Sequence, residues 1–513
     1  MKLGFFFGAG AEREYGLPSG GEFAIDIFRQ DTRQEKEKLR SELADKVDQL
    51  SDYATGWLPQ NYRGKRIHAF GRNEFTNIIE SSIEYRKEQI IRRLNTFDQL
   101  ADSAISTLGI TRERLDTAFH AATEKQLGEV RYSQAVIVNP RISDDVSLFD
   151  SEYYSAILEI IKEDDDASDL RRYASAILQL LIGAYGQSVI QNLNQEIFTT
   201  APDEIPIFDD VTGLFKVEFS RIGLTALELL IAERRSFDTS EDANATSLFC
   251  ALSHQILENL FSEVLDYQSL IDSHFRYLFS PRTEWAKFCK MVIFLRVVRE
   301  YISGAIGEVE WNEETDGYYT DLGKCSDLGL EIGAIGTANY NNIVESISTA
   351  KGFEIPEVHH LNGSIHDYYN PYQNSIITTQ NFDEIETDQI HVPFILTQSG
   401  LKPLTSVEMS RRYVTLYDSY KEADAIVVVG FGFNIDDGHI NGLFRELIEK
   451  EQKPFYWIVP DRGEEEDIRR ELARKLRVSA SARPRLNIVK VDSMRNVGDQ
   501  GWLEEIKARI ERS

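Results

Sequence analysis

The spacing of apolar residues divides the chain into two textures. Residues 2–8 contain Leu3 and the run Phe5 to Phe7, which predicts a short buried strand ended by Gly8. From about residue 22 to 310 the apolar positions recur mostly at helical spacing. From about residue 330 onward, short apolar runs alternate with amphipathic helices. Strands that alternate with helices predict a parallel, doubly wound sheet.

Each predicted strand beyond residue 330 is a short apolar run of four to six residues. They are Ile332–Gly336, Glu357–Leu361, Phe394–Thr397, Ala425–Gly430, Phe455–Val459 and Asn487–Val491. A helix with an apolar stripe over 440–448 follows the fourth of these strands, and Asp436 or Asp437 is its predicted N-cap. The last predicted helix spans 502–510.

The middle of the chain is predicted to be mainly helical, and Ala135–Val138 is its strand-like run. Its clearest helical segments are Gln34–Leu50, Tyr173–Ile190 and Phe288–Tyr301, and Asp164 to Asp166 are predicted to form a loop.

A single sheet that takes its first strand from residues 2–8 needs a long insertion. We predict that residues 1–29 and 326–513 form one Rossmann-type α/β domain, and that residues 30–325 form a mainly α-helical insertion. The alternative is that residues 1–21 belong to the helical region and that the sheet beyond residue 330 is complete without them. The glycine loop after the first strand favours the insertion.

Charge and cysteine content narrow the classes of partner. The chain carries 84 acidic and 56 basic residues, a net charge of −28, which repels phosphate backbones and predicts no direct nucleic-acid binding. Its three cysteines are far apart, which predicts neither a disulfide framework nor a four-cysteine zinc site. No signal segment or membrane span is predicted, so we expect a cytoplasmic protein that needs no metal and no membrane.

The loop after the first strand begins Gly8-Ala9-Gly10 and continues to Gly16-Leu17-Pro18. A strand that ends in Gly-x-Gly at a helix start lets backbone N–H groups approach a pyrophosphate, although a plain tight turn has the same pattern. Arg13 stands where a dinucleotide fingerprint has its third glycine. The pattern GAG-x(5)-G-L-P resembles the opening motif of sirtuins and sirtuin-like NAD-cleaving proteins.

Three later segments resemble the same family in the expected order. Residues 336–341, GTANYN, are similar to the family's T-x-N-[IY]-D segment, and residues 359–365, HHLNGSI, are similar to its L-H-G-S strand end. Residues 426–437 resemble the strand and loop that hold the adenosine ribose. The helix that follows, with His439, Ile440 and Asn441, resembles that of the bacterial defence-associated branch.

The resemblance implies two sets of site residues. The catalytic set is Asn339 beside the nicotinamide ribose, with His360 and Asn362. The residues implied to bind NAD⁺ are Gly8, Ala9, Gly10, Gly16, Pro18, Thr337, Asn341, Gly430, Phe431, Gly432, Asn434 and Asp437. Simpler interpretations are that Asn339 caps a helix, that His359 and His360 are ordinary strand residues, and that Gly430 to Gly432 form only a turn.

Three positions depart from the family's pattern. Asn362 stands where the family has its catalytic histidine, and His360, two positions earlier on an extended strand, is the candidate neighbour. Asn341 replaces an aspartate. Glu12 replaces a serine, and because a carboxylate repels a pyrophosphate we expect Glu12 to face away from it or to pair with Arg13.

Cleavage of the nicotinamide–ribose bond passes through an oxocarbenium-like state and releases a neutral leaving group. An amide such as Asn339 orients the ribose hydroxyls or a water, and an imidazole accepts the proton from the nucleophile. Family deacylases carry a four-cysteine zinc module, which these three cysteines do not provide. We therefore predict an NAD⁺ hydrolase that releases nicotinamide and ADP-ribose, not a protein deacylase.

The family's defence-associated branch implies a cellular role. Such proteins deplete NAD⁺ in infected bacteria and stay inactive until a phage-derived trigger or a partner, such as a HerA-type ATPase, activates them. The resemblance therefore implies an abortive-infection effector that forms a homo-oligomer. Two alternatives remain: a non-catalytic sensor that binds NAD⁺ or ADP-ribose, and a scaffold built by the helical insertion.

Overall fold

The chain folds into two compact units, each with its own core. The first comprises Met1–Ser19, Gln30–Ala69 and Gln268–Ser513, and the second comprises Gly20–Arg29 and Phe70–Tyr267. The computed structural model describes residues 1–17, 20–139, 146–164, 166–185, 198–200, 228–231, 237–240, 242–265, 274–307, 315–382, 385–395, 406–434, 437–461 and 463–512.

A six-stranded, all-parallel sheet forms the centre of the first unit. In chain order its strands are β1 Lys2–Phe7, β2 Glu331–Thr337, β3 Val358–His360, β4 Ala425–Val429, β5 Phe455–Pro460 and β6 Leu486–Val491. Their order across the sheet is β3-β2-β1-β4-β5-β6, which is the order of a Rossmann-type fold. The predicted class, an α/β protein with a parallel sheet that includes residues 2–8, is confirmed.

The central strands β1 and β4 are buried along almost their whole length because helices cover both faces of the sheet. In β1, Leu3, Phe5 and Phe7 enter one core and Phe6 enters the other. The first core is covered by α1 Tyr318–Asp321, α2 Ile343–Lys351 and α6 Trp502–Arg512. The second is covered by α3 Val407–Glu422, α4 Gly438–Glu449 and α5 Glu465–Leu476. The sheet is therefore doubly wound.

One strand that was predicted for this parallel sheet belongs to a different sheet, so its predicted placement was wrong. Val392–Ile395 pairs antiparallel with Gly363–Asn370, which also pairs with Ser375–Thr378 to make a separate three-stranded sheet. The prediction failed because a short apolar run reveals burial but not its pairing partner. Residues 396 and 397, the end of the predicted strand, lie outside the described residues.

Two long helices outside the sheet also belong to the first unit, Arg33–Asp45 and Trp285–Gly307. Both guanidinium Nη atoms of Arg296 donate to Glu42, at 3.0 and 2.7 Å, and Arg299 Nε donates to the Ile365 carbonyl at 2.8 Å. These contacts join the helices to each other and to the antiparallel sheet. The unit boundaries therefore differ from those predicted at residues 29 and 325, since 30–69 and 268–325 pack with the sheet-bearing unit.

The second unit is mainly helical in its described residues and has one large apolar core. Ile137–Val138 pairs antiparallel with Phe198–Thr200, in the region of the predicted strand-like run. The helix predicted at Tyr173–Ile190 spans Ser168–Ala184, and residues 186–190 lie outside the described part. Its helices are Gly20–Arg29, Arg72–Tyr85, Lys87–Asn95, Phe97–Leu108, Arg112–Thr123, Glu152–Glu163, Ser168–Ala184 and Ala245–Val264.

None of the helices that the structure describes combines the length and the apolarity that crossing a bilayer requires.

Glycines allow the loops after β1 and β4 to touch through their backbones. The Gly8 and Gly10 amides donate to the Val429 and Gly430 carbonyls, each at 2.9 Å. Gly430 has φ 68°, and a Cβ there would lie 2.1 Å from the Ala11 nitrogen. Only glycine fits this contact, which ties the first loop to the fourth strand.

We expect Gly430→Ala to lower the free energy of unfolding by about 2 kcal/mol or more, through the left-handed backbone and the clash with Ala11. Gly432→Ala is the matched control, because its new Cβ would meet no atom closer than Asn434 Oδ1 at 3.7 Å. Denaturant titration of both variants measures the difference. Equal losses in the two variants would show that the close approach at Gly430 is not a constraint.

Candidate functional site

Four chain segments meet at the carboxyl edge of the sheet. β4, β1, β2 and β3 are consecutive neighbours, and parallel strands bring their carboxyl ends to one edge. The strand order reverses between β1 and β4, which is where open α/β sheets form a ligand crevice. The glycine loop, Asn339, His360 and Asn362 all lie at or just beyond these strand ends.

Glu12 is the centre of a buried hydrogen-bonded cluster at this edge. It lies on the 3₁₀-helix Ala9–Tyr15 and is 5% exposed. Its Oε1 accepts from Asn339 Nδ2 at 2.7 Å and from the Tyr319 hydroxyl at 3.0 Å, and its Oε2 accepts from Asn341 Nδ2 at 2.8 Å. We refer to Glu12, Tyr319, Asn339 and Asn341 as the Glu12 cluster.

Glu12 does not pair with Arg13, which was one of the two arrangements expected for it. The 3₁₀-helix turns Glu12 inward and leaves Arg13 exposed, so that the carboxylate meets three donors from the segments before and after β2. A buried carboxylate needs such donors, and three hydrogen bonds outweigh a local pairing with Arg13 in water.

Burial raises the pKa of Glu12 to about 7, against the opposing effects of the hydrogen bonds from Asn341, Tyr319 and Asn339. A carboxyl group with a pKa near neutrality both accepts and releases protons at physiological pH. Perturbed carboxyl groups of this kind are concentrated at functional sites. The cluster therefore places a titratable group at the carboxyl edge of the sheet.

His360 is held at both ring nitrogens. Its Nδ1 lies 3.0 Å from the Asn339 carbonyl oxygen, and its Nε2 lies 3.2 Å from Glu345 Oε1. Burial lowers the pKa of His360, but the hydrogen bond to Glu345 and its charge outweigh burial, and the net pKa is raised. The protonated form of His360 is therefore more favourable than that of a free imidazole, and both ring nitrogens face oxygen acceptors.

Asn362 links the end of β3 to the helix that follows β4. Its Nδ2 donates to the Ala338 carbonyl at 3.2 Å, and its Oδ1 lies 3.2 Å from His439 Nε2. The ring of His439 also lies 5.8 Å from that of Tyr413, whose hydroxyl donates to the Leu361 carbonyl at 3.1 Å. The structure thus brings a second imidazole to the predicted catalytic position.

Asn339 and Thr337 have defined local roles. The Asn339 amide nitrogen of the main chain donates to Thr337 Oγ1 at 3.0 Å, and Thr337 Oγ1 donates to the Phe7 carbonyl at 3.1 Å. The helix after β2 begins at Ile343, whose amide donates to Asn341 Oδ1 at 3.2 Å. Asn341 therefore supports the helix start, and the simpler interpretation of Asn339 as its cap was wrong.

The predicted nucleotide-binding residues after β4 form their own hydrogen-bonded group. The Asn434 carbonyl accepts from Asn441 Nδ2 at 2.8 Å and from the Asp437 amide at 3.1 Å, and Lys475 Nζ donates to the Gly432 carbonyl at 3.0 Å. Asp437 is the N-cap residue of α4, as predicted, without a side-chain capping bond. These contacts shape the loop on the β4 side of the crevice.

The remaining nucleotide-binding positions differ in exposure. Gly16 ends the 3₁₀-helix with φ 77°, and Phe431 is buried against Phe6. Pro18 lies outside the described residues. The exposed members of the set are Ala9, Gly10, Gly16, Gly432 and Asn434, and the buried ones are Gly8, Thr337, Asn341, Phe431 and Asp437.

The sequence prediction missed Tyr319, Glu345 and His439 as site residues. Tyr319 precedes β2 by several residues, and its ring stacks on Tyr15 at 5.3 Å between centroids. Glu345 lies on α2, where it resembles any exposed helix carboxylate. Of the three, only His439 had a signal, because it immediately follows the segment 426–437 that resembled the family.

Among the described residues, no group of three or more His, Cys, Asp or Glu side chains is arranged to hold a metal ion. Comparison with protein-family models, with curated proteins and with solved structures found no match to this chain.

We expect the Glu12 carboxyl to make stability fall as pH rises between about 4.5 and 7. Over this interval the folded state keeps a proton that the unfolded state has released, because the folded pKa is about 7 against 4.5. The difference between the two pKa values corresponds to about 3 kcal/mol of the free energy of unfolding. Denaturant titration measures the free energy of unfolding at pH 4 and at pH 8. Between these pH values it should fall by about 3 kcal/mol more in the wild type than in Glu12→Gln.

The control is Glu37→Gln, on an exposed helix position of the same unit. Its free energy of unfolding should follow the wild type at both pH values. A constant difference between wild type and Glu12→Gln from pH 4 to pH 8 would mean that Glu12 does not titrate in this window.

Proposed function

We propose that this chain is an NAD⁺ glycohydrolase that cleaves the bond between nicotinamide and ribose with water as the acceptor. The observation that carries the proposal is the Glu12 cluster: a buried carboxyl group bonded to the amides of Asn339 and Asn341 at the ligand crevice. The four motifs that resemble sirtuin-like proteins support the same conclusion, because all four lie along this edge.

Charge complementarity supports NAD⁺ as the substrate. Its nicotinamide ring is cationic, and the transition state moves positive charge onto the ribose. An anionic group in a water-poor site stabilises such charge more strongly than it would in water. Glu12 in its ionised form provides that charge, and Asn339 and Asn341 hold its two oxygens in fixed directions.

The reaction is balanced without another cofactor. The bond between ribose C1′ and the ring nitrogen breaks, and its electron pair returns to the ring, which leaves as neutral nicotinamide. The water oxygen forms a bond to C1′ and releases one proton. The products are nicotinamide, ADP-ribose and a proton.

The Rossmann order of the sheet supports the placement of the dinucleotide. Its diphosphate would lie at the loop after β1, where Gly10 is exposed and Arg13 supplies positive charge, and its adenosine would lie toward Gly432 and Asn434. The nicotinamide ribose would then reach Asn339 and Glu12. We assign Asn339 to orienting the ribose hydroxyls, and His360 to positioning Asn339 through its carbonyl.

We expect Asn339→Ala and Glu12→Gln each to lower the rate of nicotinamide release by about 100-fold or more, because each removes a group that acts on the charged transition state. The assay follows free nicotinamide from NAD⁺ with purified full-length protein, alone and with candidate protein partners. Circular dichroism and size-exclusion chromatography of the variants check that fold and assembly are intact.

Asn434→Ala is the matched control, since it shortens an exposed amide near the same crevice but outside the Glu12 cluster. It should raise KM for NAD⁺ and leave kcat nearly unchanged. An Asn339→Ala variant with the wild-type rate would remove Asn339 from the mechanism. The absence of nicotinamide release from wild-type protein in every condition would refute the hydrolase.

A non-catalytic sensor of NAD⁺ or ADP-ribose is the second candidate. One observation favours it: Asn339 Nδ2 donates to Glu12 at 2.7 Å and to Tyr319 at 3.2 Å, which fixes the direction of the side-chain amide. An amide held in this way suits fixed recognition of a ligand. A sensor would raise its melting temperature in NAD⁺ or ADP-ribose while releasing no nicotinamide.

The family resemblance extends the proposal to the cell. We assign the chain to the cytoplasm as a NAD⁺-depleting effector of antiphage defence, regulated by homo-oligomerisation, by a phage-derived trigger or by a partner such as a HerA-type ATPase. The mainly helical second unit, which we interpret as an insertion into the Rossmann domain, is the candidate for these contacts.

A further inference from the structure

One arginine, Arg495, joins three carboxylates beside the Glu12 cluster. It lies between β6 and α6 and is buried, with 6% of the residue exposed. Its Nε donates to Asp321 at 2.8 Å, its Nη1 to Glu14 at 2.9 Å and its Nη2 to Asp316 at 2.6 Å. Because a guanidinium group is planar and rigid, it holds these three partners in fixed directions.

The carboxylates that Arg495 contacts belong to the segments that build the Glu12 cluster. Glu14 lies on the same 3₁₀-helix as Glu12, two residues later. Asp321 is the last residue of α1, two residues after Tyr319. Arg495 therefore connects the segment that carries the central carboxyl group to the segment that carries one of its hydrogen-bond donors.

The same two segments also meet through neutral groups. The Tyr15 hydroxyl accepts from the main-chain amides of Tyr319 and Thr320 at 2.9 and 3.3 Å, and the rings of Tyr15 and Tyr319 stack. On the opposite side, Trp502 Nε1 donates to Asp321 at 2.8 Å. The contacts of Arg495 are charge-assisted, so they are stronger than these neutral ones and more sensitive to direction.

The backbone of Arg495 has a conformation that an arginine rarely adopts. Its φ is 62°, in the left-handed region, where glycine is the unstrained residue. Its amide donates to the Asp492 carbonyl and its carbonyl accepts from the Trp502 amide, each at 3.1 Å. Strained positions of this kind persist where surrounding contacts determine them, and they are concentrated at functional sites. An arginine at a position that suits glycine indicates that the side chain is needed there.

We propose that Arg495 is a positioning residue of the candidate site, which fixes Glu12 against Tyr319 by holding the two segments that carry them. Its positive charge is balanced by three carboxylates, so its main effect on Glu12 is geometric. In the proposed hydrolase, a displacement of Glu12 by about 1 Å would lower the rate by about 100-fold. The effect on rate rests on the proposed function, whereas the effect on the titration of Glu12 does not.

The test isolates the titration of Glu12 in full-length protein. Denaturant titration measures the free energy of unfolding at pH 4 and pH 8 in chains with Glu12 and in matching chains with Glu12→Gln. The extra fall between these pH values in the chain with Glu12 is the Glu12 contribution. The comparison is made in the wild type, in Arg495→Gly and in Arg495→Lys. Because both members of each pair keep the other carboxylates, the titration of those groups cancels.

We expect the Glu12 contribution to fall by about half or more in Arg495→Gly, because water reaches the carboxyl group and its pKa returns from about 7 toward 4.5. Glycine accepts φ 62° without strain, so the turn is retained. Arg495→Lys keeps the positive charge but not the planar fork, and it should show a smaller fall in the same direction. The kcat for nicotinamide release should fall in both variants, by about 10-fold or more in Arg495→Gly.

Arg477→Gly is the matched control, because Arg477 is exposed, has φ 55° and follows α5 in the same unit. Its Glu12 contribution and its rate should equal those of the wild type. An equal or larger Glu12 contribution in either Arg495 variant would overturn the proposal. An equal value would make Arg495 only structural, and a larger value in Arg495→Gly would mean that Arg495 acts on Glu12 through its charge.

Failure of the hydrolase is a separate outcome, because the titration of Glu12 is measured without substrate. Wild-type protein that releases no nicotinamide, with a Glu12 contribution that depends on Arg495, would refute the proposed function and leave the positioning role. Active wild-type protein whose Glu12 contribution does not depend on Arg495 would refute only the positioning role.

Discussion

The burial of the Glu12 carboxylate constrains the rest of the site. Moving a carboxylate out of water costs several kcal/mol unless hydrogen-bond donors replace its hydration. Tyr319, Asn339 and Asn341 supply those donors and come from chain segments more than 300 residues away. Loss of Asn341 would remove the donor to the buried Oε2, whereas Oε1 accepts from both Asn339 and Tyr319. The position of one side chain thus determines where three others must lie.

The sheet makes this arrangement possible before any ligand is considered. Phe7 pairs in register with Thr337 on one side and with Val429 on the other, so the loops that follow leave the sheet at the same level. Thr337 then bonds the Phe7 carbonyl, and Gly10 bonds the Gly430 carbonyl. The topology thus joins distant segments at one edge of the sheet, and the glycines let their backbones approach each other.

The sequence predicted the fold well where the signal was local. Most parallel strands were found within one or two residues, because strands covered on both faces are continuous apolar runs. The meeting of the Gly10 loop with Asn339 was predicted only through the ordered motifs. The partners of Glu12 were not predicted, because Tyr319, which donates to its carboxyl group, has no periodic signal in the sequence.

The pairing partners of short strands were the second feature that could not be predicted from the sequence. Val392–Ile395 is as apolar as a strand of the parallel sheet, and nothing in four buried residues distinguishes an antiparallel partner. The boundaries of the two units differ from the predicted residues 29 and 325 for a similar reason. Arg33–Asp45 is helical as predicted, but the ion pair between Glu42 and Arg296 depends on a residue far along the chain.

The contacts of Asn339 restrict what this residue can do. Its Nδ2 donates to Glu12 and Tyr319, and its main-chain carbonyl faces His360, so both its side chain and its backbone are held. With its amide hydrogens directed to Glu12 and Tyr319, the group that the side chain leaves for a ligand is its Oδ1, an acceptor for hydroxyl protons. In the proposed hydrolase this oxygen would become more favourable as positive charge develops on the ribose, because its dipole is already aligned by the bond to Glu12. The same carboxyl group would then act in two ways, directly by its charge and indirectly by orienting the amide beside it.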